Sequence, residues 1–344
     1  MSLILGIESS CDETAAALVT SDRRVLAHCL AGQESAHGPY GGVVPEIAAR
    51  AHVEILPGLI QQALAESGIA LAEVDAIAAT AGPGLVGGVM VGLVAAKGLA
   101  LASGKPLVAV NHLEGHALSP MLSDPALGFP YLLLLVSGGH CQLLHVEGLG
   151  RYRRLATTID DAAGEAFDKT AKLLGLGFPG GPAVERAALA GDPGAVPLPR
   201  PLLGSTEPHF SFAGLKSAVL RARDGGRHSN EDIAASFQQA VVDSLVDRTR
   251  RALERVPGTT ALVVAGGVAA NESVRSALTR LARAHGLPFV APPLWLCTDN
   301  AAMIGWAGAL RFDSGLTDPL DAPARARWPL DPDAEKVRGA GVKA

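Results

Sequence analysis

Apolar and polar residues follow one another along the chain in blocks that predict a repeated strand–turn–strand plan. A short apolar strand, Leu3 to Ile7, leads through a polar turn at residues 8–14 into a second strand, Ala15 to Val19. Residues 131–146 repeat this plan around a glycine turn, and a strand at residues 261–264, paired glycines and a helix form a third related piece. This weak internal duplication predicts two similar α/β lobes with a nucleotide cleft between them.

The intervening pattern predicts helices and strands in turn. A strand from Val74 to Thr80 precedes an apolar helix from Leu85 to Ala102, which glycines and Lys97 interrupt. Without an aromatic belt this run is predicted to be a buried helix and not a membrane span. Two amphipathic helices are also predicted. The first carries Ile47, His52, Ile55, Leu59 and Ile60, and the second has Ile233, Phe237, Val241 and Leu245 on one stripe.

The predicted lobes follow from this order of elements. We place the first lobe at residues 1–110 plus about 297–330 and the second at about 111–296. Residues 331–344 form a C-terminal tail, for which disorder is one option.

Composition and charge narrow the class of protein. Hydrophobic residues make up 48% of the 344 residues, which is enough for a large core. The net charge of -5 does not indicate a nucleic-acid binder, although Lys and Arg outnumber Asp and Glu between Arg200 and His285. The cysteines show no close pairing and the N-terminal residues no leader pattern, so a cytoplasmic protein with reduced thiols is expected. These cysteines are Cys11, Cys29, Cys141 and Cys297.

The strand Leu107 to Val110 leads into a pair of histidines, His112 and His116. Four residues apart on a helix, both imidazoles project from one face and could bind a single metal ion. From the spacing alone, a capping or hydrogen-bonded pair is the commoner explanation. Glu114 does not follow the first histidine directly, which separates this pattern from the His-Glu-x-x-His motif of metalloproteases.

Other polar clusters leave two interpretations open. Residues 160–168 carry four carboxylates, which either complement a helix N-terminus or accept hydrogen bonds from ribose hydroxyls. Asp299 precedes a helix of small residues, where an N-cap is the ordinary interpretation. The glycines in the turn after Val136 could bring backbone N–H groups close to an anion.

A set of motifs resembles one family. The matching stretches are Gly6-Ile7-Glu8-Ser9-Ser10-Cys11-Asp12-Glu13-Thr14, His112-x-x-x-His116, Val136-Ser137-Gly138-Gly139-His140, Phe210-Ser211-Phe212-Ala213-Gly214-Leu215-Lys216, Gly266-Gly267-Val268-Ala269-Ala270-Asn271 and Cys297-Thr298-Asp299-Asn300. In this order, over roughly residues 3–330, they are similar to TsaD, the bacterial tRNA N6-adenosine threonylcarbamoyltransferase family once described as glycoproteases. Ala117 and Ala213 depart from the residues common in that family.

The resemblance implies a fold and a set of site residues. The fold would be the duplicated actin/hexokinase/Hsp70-like (ASKHA) α/β fold, with a nucleotide and metal site in the cleft. His112, His116 and Asp299 would hold one divalent metal, Fe2+ before Zn2+. Nucleotide-binding residues would be Leu135, Val136, Ser137, Gly138, Gly139, Asp168, Gly181 and Asn271. Asp12 and Glu13 would lie near the reacting group as candidate catalytic carboxylates.

The resemblance also implies the reaction and its partners. Threonylcarbamoyl-AMP would be the substrate, with ATP, ADP or AMP able to occupy the same site. The threonylcarbamoyl group would pass to N6 of adenosine-37 in the anticodon stem-loop of tRNAs that read codons starting with A, releasing AMP. The Arg-rich region Arg221 to Arg255 could contact tRNA phosphates. A paralogous TsaB-like subunit and a TsaE-like ATPase would be partners, the helix Ile47 to Ile60 being one candidate surface, and no membrane would be involved.

Three alternative functions are considered. A zinc metalloprotease would explain the histidine pair but gives the nucleotide-type turns no purpose. A small-molecule kinase would explain the turns but needs a catalytic aspartate with Mg2+ and not two histidines. A non-catalytic partner subunit would not need intact metal and nucleotide motifs.

Overall fold

The computed structural model describes residues 1–40, 42–335 and 337. Of the expected tail at residues 331–344, residues 336 and 338–344 therefore lie outside the described part. Contacts divide the chain into two compact units. Unit 1 comprises Met1–Ala126 with Thr298–Pro332, and unit 2 comprises Leu127–Cys297 with the described residues after Pro332.

Unit 1 is built on a five-stranded sheet in the order β3-β2-β1-β4-β5. Its strands are β1 Leu3–Glu8, β2 Glu13–Thr20, β3 Val25–Gly32, β4 Ala76–Gly82 and β5 Leu107–Asn111. Its helices are α1 Glu34–His37, α2 Pro45–Ser67, α3 Val86–Ser103, α4 His112–Ser123 and α11 Ala301–Asp313, with single 3-10 turns at Gly38–Tyr40 and Leu71–Glu73. Strands β1, β2 and β3 are antiparallel, whereas β4 and β5 join β1 in parallel.

Strand β1 is buried on both faces, which explains its continuous apolar sequence. Leu5 and Ile7 contribute to the core shared with α2 and α3. Gly6 faces the other way, and a side chain there would collide with the backbone of α11 at Ala301 and Gly305. The absence of a side chain at Gly6 therefore lets α11 lie directly on the sheet.

Unit 2 repeats this topology with its own strands in the order β10-β9-β6-β7-β8. These are β6 Tyr131–Val136, β7 Cys141–Gly148, β8 Arg151–Thr157, β9 Leu262–Ala265 and β10 Phe289–Val290. Strands β6, β7 and β8 are antiparallel, and β9 and β10 join β6 in parallel. The predicted duplication is confirmed, because each sheet is a three-stranded meander extended by two parallel strands.

The helices of unit 2 supply most of its core. They are α5 Ala163–Leu174, α6 Gly180–Ala188, α7 Ala213–Asp224, α8 Asn230–Arg255, α9 Glu272–Ala284 and α10 Leu294–Cys297, with a 3-10 turn at Gly267–Ala270. The predicted stripe of α8 is buried at Ile233, Phe237, Val241 and Leu245. Phe167 of α5 meets Phe237 edge to face with ring centroids 5.1 Å apart.

The boundary between the units differs from the predicted lobe boundary. Helix α4 lies in unit 1, although the predicted first lobe ended at residue 110. The reason is its packing on α11, where the indole Nε1 of Trp306 donates to the carbonyl oxygen of Leu118 over 3.1 Å.

Helix α3 is long and apolar enough to cross a membrane by length and composition alone. A face of it nevertheless packs on the sheet of unit 1. The hydroxyl of Ser9 donates to the carbonyl oxygen of Gly88 over 2.9 Å and accepts from the N–H of Gly92 over 3.1 Å. Such close contact with the β1–β2 turn indicates a core helix.

Candidate functional site

The histidine pair begins at the point where β5 ends and α4 starts. Asn111 is the N-cap of α4, and its side-chain oxygen accepts the N–H of Leu113 over 2.9 Å. Its amide also donates to the carbonyl oxygen of Trp328 over 2.9 Å. This double attachment holds the first turn of α4, and with it His112, at the carboxyl end of the parallel strands, where open α/β sheets place their ligands.

Three side chains meet in unit 1 as a candidate metal centre. The Nε2 atoms of His116 and His112 lie 3.0 Å and 3.4 Å from Oδ1 of Asp299. One ligand atom from each residue falls within a cluster no wider than 4.8 Å. The rings of the two histidines stand nearly perpendicular, with centroids 4.8 Å apart. Both histidines are buried and the Asp299 side chain is 20% exposed.

Asp299 is not the N-cap that its position in the sequence suggested. Asn300 occupies that role in α11, because its side-chain oxygen accepts the N–H of Met303 over 2.9 Å. The carboxylate of Asp299 is thereby left to face the histidines.

Attraction between opposite charges shifts the pKa values of His112 and Asp299. Burial opposes the charge on His112, but the carboxylates of Asp299 and Glu8 outweigh it and raise the pKa of His112 well above its usual value. Burial likewise works against ionised Asp299, yet the two histidines hold its pKa well below the usual range. The Nδ1 atom of His116 is buried and has no hydrogen-bond partner among the described residues.

The donor set fits a single metal ion. Two imidazole nitrogens and one carboxylate oxygen are ligands that first-row transition metals accept, with further positions left open for a substrate. Glu114, by contrast, points away and pairs with Arg311 over 3.2 Å. Because Glu114 is engaged in that ion pair, no base of the metalloprotease type accompanies the two histidines on α4.

The β1–β2 turn carries the candidate carboxylates Asp12 and Glu13. Burial, followed by the charges of Asp299 and Asp12, raises the pKa of Glu13 to about 10. A glutamic acid that keeps its proton at neutral pH donates a hydrogen bond and does not act as a base.

His52 of α2 anchors this turn. Its Nε2 donates to the carbonyl oxygen of Cys11 over 3.1 Å, and its Nδ1 lies 2.7 Å from the hydroxyl of Thr14. Burial lowers the pKa of His52, which favours this neutral form. The sequence showed His52 only as one position on a helix, so its contact with the turn could not be found from the pattern.

The second turn, at residues 137–140 in unit 2, joins β6 to β7. The hairpin closes through the N–H of Ser137, which donates to the carbonyl oxygen of His140 over 2.8 Å. A Cβ atom added at Gly138 or Gly139 would meet nothing within 4 Å. The side chains of Leu135 and Val136 are fully buried in β6, so any contact from these two with a nucleotide would come from their backbone.

The remaining predicted nucleotide residues lie on the helices of unit 2. Asp168 Oδ1 accepts the N–H of Gly180, at the start of α6, over 2.9 Å, and Gly181 follows directly. Asn271 is the N-cap of α9, accepting the N–H of Val274 over 3.0 Å, and its amide donates to Oε1 of Gln238 over 2.8 Å. Each of these polar side chains already has a structural hydrogen bond, which fixes its orientation.

One carboxylate of the acidic stretch has a structural role. Asp160 accepts the hydroxyl of Ser211 over 2.5 Å and the N–H of Phe212 over 2.7 Å. It thereby ties the segment before α5 to the Phe210–Lys216 motif at the start of α7. This supports the helix-terminus interpretation for Asp160, although the helix is α7 and not the nearby α5.

Comparisons with known proteins agree with the family resemblance of the sequence motifs. A family model described as TsaD, tRNA N6-adenosine threonylcarbamoyltransferase, matches residues 24–306. Proteins of that name from Sphingopyxis alaskensis and Novosphingobium aromaticivorans are 75% and 70% identical to the chain, each over the full length of both proteins. A third, from Zymomonas mobilis, is 68% identical over all of this chain and 96% of its own.

Solved structures of low sequence identity share the fold. HypF of T. kodakarensis superposes with a TM-score of 0.62 at 17% identity, over 92% of this chain and 48% of its own. Component A of (R)-2-hydroxyglutaryl-CoA dehydratase from Acidaminococcus fermentans reaches a TM-score of 0.54 at 16% identity, over 90% of this chain and 100% of its own. These similarities confirm the predicted ASKHA fold.

Proposed function

The chain belongs to the TsaD family of tRNA N6-adenosine threonylcarbamoyltransferases, and we propose that it transfers a threonylcarbamoyl group from threonylcarbamoyl-AMP to N6 of adenosine-37 in tRNA. The tRNAs modified would be those that read codons starting with A, and AMP would leave. The observation that carries this proposal is the full-length match to relatives of that name, in a chain whose His112, His116 and Asp299 converge as a metal-ligand set.

The metal held by these three residues is proposed to be Fe2+, with Zn2+ as the second choice. Both accept nitrogen and oxygen donors in sites that leave positions open. When bound, such an ion supplies Lewis acidity to a carbamoyl or phosphate oxygen.

Residues of the chain itself would supply orientation and proton transfer. The exocyclic amine of adenine is a weak nucleophile, so positioning and charge stabilisation must provide most of the rate. Burial is the largest cause of the raised pKa of Glu13, so Glu13 would act as a hydrogen-bond donor. Asp12 remains the candidate base for the proton that the amine loses.

The nucleotide would be bound by residues of unit 2. The N–H groups of Gly138 and Gly139 suit phosphate and carbamoyl oxygens, since small turns of this kind form anion-binding concavities. The N–H of Ser137 already donates to the carbonyl oxygen of His140, so Ser137 would contribute its hydroxyl. Asp168, Gly181 and Asn271 would take the ribose and the adenine. ATP, ADP or AMP would compete for the same residues.

The reaction is tested directly with purified components. The protein is incubated with threonylcarbamoyl-AMP, unmodified tRNA and the partner proteins, and the modified nucleoside is measured by mass spectrometry. We expect His116→Ala to lose its bound metal and at least ~100-fold in rate, since several kcal/mol of charge stabilisation disappear. The exposed His285 provides a matched variant, His285→Ala, that should keep both. Absence of product from the wild-type protein with all partners present would refute the function.

A TsaB-like subunit and a TsaE-like ATPase are proposed as protein partners. Support for a partner surface comes from an exposed apolar stripe on α3. The stripe consists of Val86, Met90, Val94 and Leu101, which are 49%, 50%, 58% and 72% exposed. Exposed apolar patches of this kind mark interaction sites. Ile55, named earlier as part of the candidate surface, packs partly against the core and is a poorer choice.

A further inference from the structure

Glu8, at the end of β1, is a carboxylate with no exposed surface that lies directly behind the candidate metal centre. Its Oε2 atom is 3.0 Å from Nδ1 of His112, on the side of the ring opposite to Asp299. Two donors hold it there. The N–H of Ser10 donates to Oε1 over 2.6 Å, and the hydroxyl of Thr80 donates to Oε2 over 2.6 Å.

Burying a carboxylate is costly unless hydrogen bonds and an oppositely charged or polar partner compensate for the lost water. The buried carboxylate of Glu8 accepts from Ser10 and Thr80 and contacts the imidazole of His112. This arrangement indicates that Glu8 acts on His112.

We propose that Glu8 is a positioning residue for the metal centre, whose carboxylate keeps the proton of His112 on Nδ1 and so leaves Nε2 as the ligand atom. This inference rests on the proposed metal site. A metal-binding histidine generally donates its other ring N–H to a carboxylate or carbonyl oxygen, which fixes the tautomer and the plane of the ring. The two histidines differ here, because Nδ1 of His116 has no such partner among the described residues.

Ser10 does not provide the same control. Its hydroxyl is also 3.0 Å from Nδ1 of His112, but a hydroxyl can either donate or accept and therefore fits both tautomers. A carboxylate accepts only, so its contact with Nδ1 is favourable only when Nδ1 carries a proton. The choice of tautomer is thus made by Glu8.

The surroundings of Glu8 make Glu8→Gln a sharp test. The N–H of Ser10 cannot turn, so it requires the amide oxygen of the glutamine at the position of Oε1. The amide NH2 group must then take the position of Oε2 and point at Nδ1 of His112. It would donate to that nitrogen, and the remaining proton of the neutral ring would move to Nε2, where it blocks the ligand atom.

The experiment measures the affinity of the full-length, metal-free protein for Zn2+ and Co2+ by competition with a chromophoric chelator. Loss of the group that accepts the second ring N–H of a metal-binding histidine typically weakens metal binding by about 10- to 100-fold. We expect a loss of this size for Glu8→Gln. Ser10→Ala should change the affinity by less than about threefold, because Glu8 remains in place. Glu114→Gln neutralises a buried carboxylate of α4, the helix that carries His112, and weakens its ion pair with Arg311. It should therefore lower the melting temperature without weakening metal binding.

A spectroscopic signal separates positioning from general destabilisation. In the Co2+-loaded protein, the Nδ1 proton of His112 gives a paramagnetically shifted resonance, which we expect to be lost or displaced in Glu8→Gln and retained in Glu114→Gln. If Glu8→Gln binds metal within about threefold of wild type and keeps this resonance, or if only Ser10→Ala loses affinity, the proposal is wrong. Should Glu8→Gln fail to fold, an absent Nδ1 resonance of His112 in the wild-type Co2+ protein would overturn it equally. Failure of the wild-type protein to bind any metal would instead refute the metal site itself.

Discussion

Glu13 shows what burial does to a single carboxyl group, and the effect can be measured as a pH dependence. In the unfolded chain a glutamate ionises near pH 4.5, whereas in the folded protein the pKa of Glu13 is about 10. Between these values the folded protein holds a proton that the unfolded chain has released. The contribution of this group to stability is therefore complete below pH 4.5 and is lost progressively as the pH rises toward about 10.

We therefore expect the melting temperature of the metal-free protein to fall between pH 5 and pH 9 less steeply in Glu13→Gln than in wild type. The difference between the two curves isolates Glu13 from other titrating groups. Glu46→Gln, at an exposed position of α2, should give a curve parallel to that of wild type. Parallel curves for Glu13→Gln and wild type would show that Glu13 ionises normally.

Single residues also mark how far the sequence could predict the site. The spacing of His112 and His116 on one helix is a local property, so their common direction was predictable. Asp299 comes from 183 residues further along the chain than His116, and no local pattern distinguishes it from a helix cap. The contact of Glu8 with His112 joins residues 104 positions apart and could not be predicted at all. The resemblance to a family supplied Asp299, and only the folded structure supplied Glu8.

At the scale of one element, α3 depends on glycines for its close approach to the β1–β2 turn. A methyl group on Gly92 would overlap the hydroxyl oxygen of Ser9, whereas one on Gly98, on the exposed side of the same helix, would meet nothing within 4 Å. Both glycines have helical backbone, so the substitutions differ in their surroundings alone.

Gly92→Ala should therefore destabilise the protein by about 1–3 kcal/mol through overpacking. Gly98→Ala should stabilise it by roughly 0.5–1 kcal/mol, because alanine favours the helix. Urea denaturation of the two variants measures both values. Equal effects at the two positions would contradict the close packing of α3 on Ser9.

The sequence pattern predicted some strands of the two sheets and missed others. The hairpins β1–β2 and β6–β7 were predicted, because buried strands have continuous apolar runs between polar or glycine turns. The third strands, β3 and β8, were missed. Both lie at a sheet edge. Strand β8 also carries Arg151, Arg153 and Arg154, and these charged residues obscure the alternation of apolar and polar positions that is typical of a strand.

At the scale of the whole molecule, the exposed stripe on α3 gives a test of partner binding. Val94→Asp places a charge in the middle of the apolar stripe, and burial of that charge against a partner would be costly. We expect the affinity for a TsaB-like subunit to fall by roughly 30-fold or more, the size of an interface hot spot. Isothermal titration calorimetry measures it, with Leu189→Asp, a change at an 85% exposed leucine of unit 2, as the control. Unchanged affinity in Val94→Asp would exclude this face.

Contact with tRNA is expected to depend on a smaller set of arginines than the sequence suggested. Within the region from Arg221 to Arg255, Arg248, Arg250 and Arg251 cluster around Asp247, which neutralises part of their charge. Arg221 and Arg227 are exposed and form no ion pair with any described residue. These two side chains remain available for phosphates, as does Arg255, which is exposed at the end of α8.

The salt dependence of binding distinguishes these arginines. Each phosphate contact contributes about 0.7–0.9 to the slope of log affinity against log salt, so losing two should lower the slope by roughly 1.5. We expect this in Arg221→Gln combined with Arg227→Gln, measured by fluorescence anisotropy with an anticodon stem-loop RNA. Arg250→Gln, which removes an arginine already paired with Asp247 and Glu254, should leave the slope nearly unchanged. Charge already neutralised within the protein releases few counterions on binding, which is why Arg250→Gln should have little effect. A larger effect for Arg250→Gln than for the double variant would move the RNA surface to the C-terminal end of α8.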